Sequence, residues 1–339
     1  MIRVDQLRKE FGHGTQRAVV LDGLDLSIEA REISAVVGPS GAGKSTLAQC
    51  VSLLERPTSG SVIVNGDVLS ELSERELRIA RRRIGTIFQS DGLFSRRTAA
   101  ANVALPLEYL GVTAAETRHR VAELLDRVGL AGKAAHYPHQ LSGGQRQRVG
   151  IARALALRPS VILSDEATSG LDPESTVAIV ELLKELRDDL DLSILFITHE
   201  METVLQIADS VSRLDQGRIV ESGRVLELLA DPSSSLGRSL QPRRAHEPAP
   251  ADATVWAVTY GSEPVPADWV GLLAARLDTT VSLLGASIET LRGATTGHAT
   301  IAVSTRRHDL VEVELRLLGL DASRDRSEVL LELETEVSA

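Results

Sequence analysis

One segment restricts this chain more than any other. Gly38-Pro39-Ser40-Gly41-Ala42-Gly43-Lys44-Ser45 fits G-x-x-x-x-G-K-[ST] at every fixed position. It follows a short apolar run, Ser34 to Val37, and opens a helical pattern that starts at Thr46 and runs to Leu54. A strand that passes through glycines into a helix is the context this motif needs. The glycines let the backbone curl until its N–H groups face inward, toward phosphate. The start of the helix adds the positive end of its dipole. In this setting Lys44 is expected to reach the β- and γ-phosphates of a nucleotide, and the Ser45 hydroxyl to bind Mg²⁺.

The rest of the first 230 or so residues agrees with a strand-loop-helix core. Ser61 to Val64, Ile84 to Phe88, Val161 to Leu163 and Ile194 to Ile197 are short apolar runs, as expected of strands covered on both faces. Val177, Val180, Leu183 and Leu186 recur at helical spacing between two of them. Alternating strands and helices imply a parallel α/β sheet. From about Ser95 to Leu157 helix dominates, which predicts a helical subdomain inserted into that core.

The composition then changes. Pro232, Pro242, Pro248 and Pro250 punctuate the stretch before Thr254, with Ser233, Ser234 and Ser235 in a row. Prolines at this density work against a regular helix. The expected division is an ATPase-type domain over 1–231, a linker over 232–253 and a small α+β domain over 254–339. In the last, Val255 to Tyr260 alternates like a strand, and Trp269, Leu272, Leu273 and Leu277 share a helical face. Val281 to Leu291 and Ala299 to Ser304 read as strands. Leu310, Val313, Leu317 and Leu318 mark a second helix, and Val329 to Leu333 a closing strand, unless Asp321 to Ser327 already begins it. The order β-α-β-β-α-β is ferredoxin-like.

Composition excludes several roles. The net charge of -10 opposes non-specific binding to nucleic acid. Aromatics at 3% are too few for a base-stacking surface. A lone cysteine, Cys50, forms no intrachain disulfide and suits a reducing compartment. No run approaches the ~18 apolar residues of a membrane span, so a role at a membrane is expected to come through a partner.

A second constellation follows the run Val161-Ile162-Leu163-Ser164: the two acids Asp165 and Glu166. Ser164 interrupts an otherwise apolar strand. Carboxylates at a strand's C-terminal end sit where α/β sheets place ligands. Asp165 is expected to accept Mg²⁺ through its water shell. Glu166 is expected to take a proton from the attacking water, or to orient it. An acid pair alone is usually a solvated strand end; the phosphate loop upstream reverses that reading.

From here the sequence resembles one family. Leu141-Ser142-Gly143-Gly144-Gln145, about twenty residues before Asp165, matches the signature of ABC ATPases. Ser142 with Gln145 three residues on also fits a helix cap, which is compatible with phosphate contact. The resemblance implies that Ser142, Gly143, Gly144 and Gln145 close over ATP held by the opposite subunit of a homodimer. It further implies Gln89 as a Mg²⁺ contact that senses a membrane partner, and Asp172, in Ser169-Gly170-Leu171-Asp172, as part of the loop crossing the dimer. His199 is implied as a γ-phosphate contact, and Phe11 as the aromatic stacking on adenine. The resemblance runs from Met1 to about Asp231.

Leu53-Leu54-Glu55-Arg56-Pro57-Thr58-Ser59-Gly60, Asn102-Val103-Ala104-Leu105-Pro106-Leu107-Glu108 and Ile197-Thr198-His199-Glu200-Met201 are similar to the methionine-import branch of that family. Ser90-Asp91-Gly92 departs from the aromatic-containing segment common there. Members carry a C-terminal ferredoxin-like domain, similar to ACT domains, that binds methionine and holds the transporter inactive. The resemblance implies an ATP-hydrolysing subunit at the cytoplasmic face of the membrane, with Mg²⁺ as cofactor. It also implies integral membrane permease subunits and, through them, an extracytoplasmic solute-binding protein as partners. Two other classes fit the sequence less well. ABC ATPases of DNA or ribosomes have a coiled-coil insertion or paired cassettes, absent here. An inactive binding module conflicts with intact Lys44, Asp165, Glu166 and His199. Within importers, a different solute with the C-terminal domain acting only as a dimer clamp is the alternative.

Overall fold

The computed structural model describes residues 1–12, 17–89, 92–231, 233–240, 250, 253–260, 264–291, 294–305 and 307–324. It divides into two compact units, Met1–Gly223 and Arg224–Ala339.

The first unit opens with two long strands, β1 (Ile2–Phe11) and β2 (Ala18–Ile28). Next, β3 (Ile33–Val37) runs through the glycine loop into α1 (Lys44–Val51). Then β4 (Ser59–Val64), β5 (Asp67–Val68) and α2 (Glu74–Ala80) precede β6 (Ile84–Ile87). Three helices follow, α3 (Ala99–Tyr109), α4 (Ala114–Arg127) and α5 (Gly143–Ala154). The unit closes with β7 (Val161–Asp165), α6 (Pro173–Leu190), β8 (Ser193–Ile197), α7 (Met201–Ile207), β9 (Ser210–Asp215) and β10 (Arg218–Arg224).

Six strands form the central sheet, in the order β10-β9-β3-β8-β7-β6. Its inner pairs are parallel, and every residue of β3 and β8 is buried. The register places Val36 and Asp165 both level with Ile197, and Ile87 level with Ser164. The loops leaving β3, β6, β7 and β8 therefore emerge at one edge, the C-terminal edge where parallel sheets bind ligands.

The expected helical subdomain is α3 to α5. Thr98 and Thr113 cap α3 and α4 by accepting from Ala101 N and Glu116 N, so polar side chains replace the missing turn at each start. One feature was not foreseen. The chain begins not with a parallel βαβ unit but with an antiparallel sheet of order β2-β1-β4-β5. Leu24, Leu26 and Ile28 alternate inward along β2 and join Ile2 and Val4 in the core over α1. That alternation is the mark of a sheet covered on one face.

The second unit starts with two short helices, α8 (Val225–Ala230) and α9 (Ser235–Leu240). Then come β11 (Thr254–Tyr260), α10 (Trp269–Leu277), β12 (Val281–Leu291), β13 (Ala294–Val303), α11 (His308–Leu317) and β14 (Leu320–Arg324). The sheet order β12-β13-β11-β14 is the ferredoxin-like arrangement expected. Val258, Leu273, Ile301, Val311 and Leu315 fill its core, and Trp269 Nε1 donates to the Tyr260 hydroxyl at 2.8 Å. Where prolines argued against helix, α9 forms between Pro232 and Pro242. A Cβ on Gly237 would lie 1.9 Å from Leu228 O, so glycine lets α9 lie directly on α8, with Leu236 and Leu240 buried. The closing strand is β14; Val329 to Leu333 lie outside the described residues. Among the described residues no helix is long and apolar enough to cross a membrane.

Candidate functional site

The phosphate loop is shaped by its glycines. Gly41 and Gly43 have φ of 82° and 106°, which side-chain-bearing residues rarely adopt. A Cβ on Gly38 would sit 2.1 Å from Leu214 O, and one on Gly43 2.9 Å from both Val20 O and Leu21 Cδ2. The loop is thus pressed between β9 and β2. Lys44, buried at the start of α1, folds back so that Nζ donates to Gly38 O at 2.8 Å and Pro39 O at 3.1 Å. Gly43 caps α1 without any side-chain bond, and the free N–H groups of the first turn belong to the same loop as Pro39, Ser40, Ala42, Ser45 and Thr46.

The second strand end brings in the acids. Asp165, the last residue of β7, is half-buried, and Ser45 donates a hydrogen bond to its carboxylate. Burial and the neighbouring Glu166 raise its pKa, against the opposing pull of Lys44 and Ser45. Glu166 takes a left-handed φ of 50°, a conformation that costs free energy and is held by its neighbours. Its N–H donates to Ile197 O at 2.9 Å, and its carbonyl accepts from Ser169 N at 3.1 Å. The bend turns its carboxylate toward His199, whose Nδ1 is 3.3 Å from Oε1.

The loop carrying His199 is tied down by groups that sequence reasoning passed over. Thr168 and Thr203 both donate to Glu200 Oε2, at 3.2 and 2.9 Å, and Glu200 N donates to Thr198 Oγ1 at 3.0 Å. Thr168 is buried. Only the fold reveals its partner, because 32 residues separate the two.

A second cluster forms at the starts of α5 and α6. Ser142 and Gln145 make the reciprocal capping box: Gln145 N donates to Ser142 Oγ at 3.3 Å, and Ser142 N to Gln145 Oε1 at 3.1 Å. Asp172 caps α6, accepting from Ser175 N at 2.9 Å and Ser175 Oγ at 2.7 Å. Those two bonds hold its carboxyl below the usual range. A Cβ on Gly144 would lie 2.9 Å from Ser175 Oγ, so this glycine lets the two helix starts meet. Ser142, Gly144, Gln145 and Ser175 line one cavity of about 260 Å³. Gly143 approaches Leu171, with 3.2 Å left for a Cβ.

Gln89 is exposed just beyond β6, at the same sheet edge. Phe11 ends β1, 39% exposed, with Lys9 Nζ 4.6 Å from its ring centroid. Lys9 is itself anchored on Glu55 Oε2 and Arg56 O, each at 2.8 Å.

Comparison with known proteins supplies a family. A model described as ABC transporter matches residues 21–169. A methionine import ATP-binding protein of Rhodococcus jostii is 53% identical over 324 residues, 96% of each chain. One from Thermobifida fusca is 49% identical over 91% of this chain and 94% of its own. Among solved structures, an ATP-binding cassette in a dimeric post-hydrolysis state with ADP and Pi covers 66% of this chain and 98% of that one, with 33% identity and TM-score 0.60. A subunit of a Clostridium perfringens ABC transporter complex covers 68% and 90%, with 31% identity and TM-score 0.63.

The raised pKa of Asp165 has a consequence for stability. The folded chain holds this proton more tightly than the unfolded one, so wild-type stability falls as pH rises from the ordinary carboxylate range through the folded pKa. Asp165→Asn removes the charge. The variant is expected to melt above wild type at pH 7 without nucleotide, and the gain to shrink on acidification toward the carboxylate range. Thermal unfolding across that pH series checks it; a gain that is absent at pH 7 or grows on acidification contradicts it.

Proposed function

The chain belongs to the ABC transporter ATP-binding subunits of the methionine-import type, and we propose that it works as a homodimer whose ATP hydrolysis drives methionine uptake through a membrane permease. The observation carrying this reading is the meeting of Glu166 with His199 beside Asp165, Ser45 and Lys44 at one sheet edge.

The loop suits a polyphosphate. It is a cradle of main-chain N–H groups whose tight positions admit no side chain. Two of the three Lys44 N–H groups bond carbonyls, which leaves the third for a phosphate oxygen. Ser45 and Asp165 form a pair of hard oxygen donors suited to Mg²⁺, with Gln89 completing the set from the next strand. Bound there, Mg²⁺ supplies charge neutralisation to the phosphate oxygens. Phe11 offers its half-exposed ring to adenine. Glu166 accepts the proton of the attacking water as that water adds to the γ-phosphorus and the bond from that phosphorus to the β–γ bridging oxygen breaks, releasing ADP and phosphate. His199 holds the Glu166 carboxylate and contacts the γ-phosphate.

The second cluster completes the partner subunit's site. Ser142, Gly143, Gly144 and Gln145 open α5, and a helix start favours anions. In the ATP-bound dimer they close over the γ-phosphate held by the opposite chain, and Asp172 lies at the crossing loop. Ser142 caps through Oγ as an acceptor, so its hydroxyl hydrogen is still available to phosphate. The dimer sits on the permease at the cytoplasmic face of the membrane. The permease receives methionine from an extracytoplasmic solute-binding protein.

Glu166→Gln is expected to retain ATP affinity and lose turnover by about 10²- to 10⁴-fold, the usual cost of removing a general base. Turnover within a few-fold of wild type would remove Glu166 from the chemistry.

The ferredoxin-like domain carries regulation in this reading. Methionine binding to it favours the resting arrangement of the dimer, which requires unequal affinity for the two arrangements. In transporter reconstituted into vesicles, methionine on the ATPase side is expected to slow ATP turnover, and deletion after Asp231 to remove that inhibition. The clamp alternative has support from β12, an edge strand with exposed Leu283 and Ile288. Unchanged turnover at saturating methionine would favour it.

A further inference from the structure

Gln89 lies between β6 and α3, where the main chain of Phe88, Gly92, Phe94, Arg97 and Thr98 is held by side chains from two helices. On one side, Phe94 N donates to Asn102 Oδ1 at 2.8 Å, and Asn102 Nδ2 reaches Phe94 O, Arg97 O and Thr98 O at 3.2, 3.1 and 3.0 Å. Asn102 is fully buried on α3. On the other side the anchors come from α5. Gln147 Nε2 donates to Phe88 O at 3.4 Å, and an Arg153 guanidinium nitrogen donates to Gly92 O at 2.7 Å. These two carbonyls bracket Gln89.

The α5 anchors are built into the packing. Gln147 is 3% exposed, and a buried amide of this kind must keep a partner. Gly92 takes a left-handed φ of 55°, and a Cβ there would be 3.4 Å from an Arg153 nitrogen and 3.5 Å from Phe88 Cδ2. Gly92 therefore lies beside both Arg153 and Phe88. Gln89 itself is exposed just beyond the sheet.

The same helix begins at Ser142. Over its 12 residues α5 spans about 18 Å at 1.5 Å per residue, with the capping box at one end and Arg153 in its last turn. Both anchors thus share one helix with that box.

We infer that Gln147 and Arg153 are positioning residues that set Gln89 for the ATP site. The inference rests on the reading of Gln89 as a site residue.

The test uses the full chain. Gln147→Met removes the amide at near-constant volume. Arg153→Met removes the guanidinium, and Arg153→Lys keeps one donor as a milder change. Both Met variants are expected to lower kcat about ten-fold or more, in the range that small misplacements of site groups cost, with affinity for labelled ATP within two-fold of wild type. Amide exchange across 86–98 should accelerate while that of β8 stays as protected as in wild type. In a Gln89→Ala background the same substitutions should cost no further turnover, because coupled residues are non-additive. Arg153→Lys should restore part of the turnover. An equal loss with and without Gln89, or unaltered exchange across 86–98, overturns the inference. Wild-type turnover by Gln89→Ala alone overturns the reading of Gln89, and the inference falls with it. A Met variant that loses β8 protection is replaced by Arg153→Lys, for which a partial loss confined to the Gln89-containing background is the supporting result and an equal loss in both the overturning one.

Discussion

Lys44 keeps the phosphate loop curled by turning back onto it, and most of the ATP end of the sheet depends on that contact. Its ammonium gathers the carbonyls of Gly38 and Pro39. Those carbonyls then point toward the lysine, and the N–H groups that open α1, unpaired within the helix, are available to a ligand. The curl is possible because Gly38 lies against Leu214 O and Gly43 against Val20 O. The antiparallel strand β2 and the parallel strand β9 are therefore walls of the loop. With the loop in place, Ser45 meets Asp165, and the acidic strand end is tied to the phosphate loop. Glu166, bent into a left-handed conformation, then faces His199.

Each chain also carries a second surface that serves no purpose in its own phosphate loop. The capping box at Ser142 and the Asp172 cap meet through Ser175, with Gly144 leaving the room. Both helices start at this point, so the surface concentrates N–H groups and dipole ends where an anion is favoured. In the proposed function a second chain with ATP on its phosphate loop brings that anion, which would tie dimerisation to nucleotide binding.

Much of this was legible in the residues. The phosphate loop fits its motif at every fixed position, the acid pair takes its meaning from that loop upstream, and the signature was legible through resemblance to the family. The parallel strands showed because burial on both faces leaves uninterrupted apolar runs such as Ile194 to Ile197. The antiparallel opening sheet was harder. Its alternation in β1 and β2 is broken by register shifts after Val4, Leu7 and Lys9, which scramble the period of two. Helix α9 was hidden because its stability comes from the contact of Gly237 with Leu228, not from local propensity. Thr168, Gln147 and Arg153 were invisible for another reason. Each acts through a main-chain or carboxylate partner distant in sequence, and a single polar residue in a loop or on a helix carries no pattern.

The central claim is that each ATP site is made from two chains, with the phosphate loop of one closed by the signature of the other. Mixing two inactive variants tests it most directly. Lys44→Ala disables the phosphate loop of its own chain, and Ser142→Arg places a bulky cation in the signature of its own chain. A mixed dimer then has one site with both parts intact: the loop of the Ser142→Arg chain and the signature of the Lys44→Ala chain. ATP turnover of the mixture is predicted to rise well above the sum of the two variants measured separately. Turnover no greater than that sum, with mixed dimers present, would contradict the two-chain site.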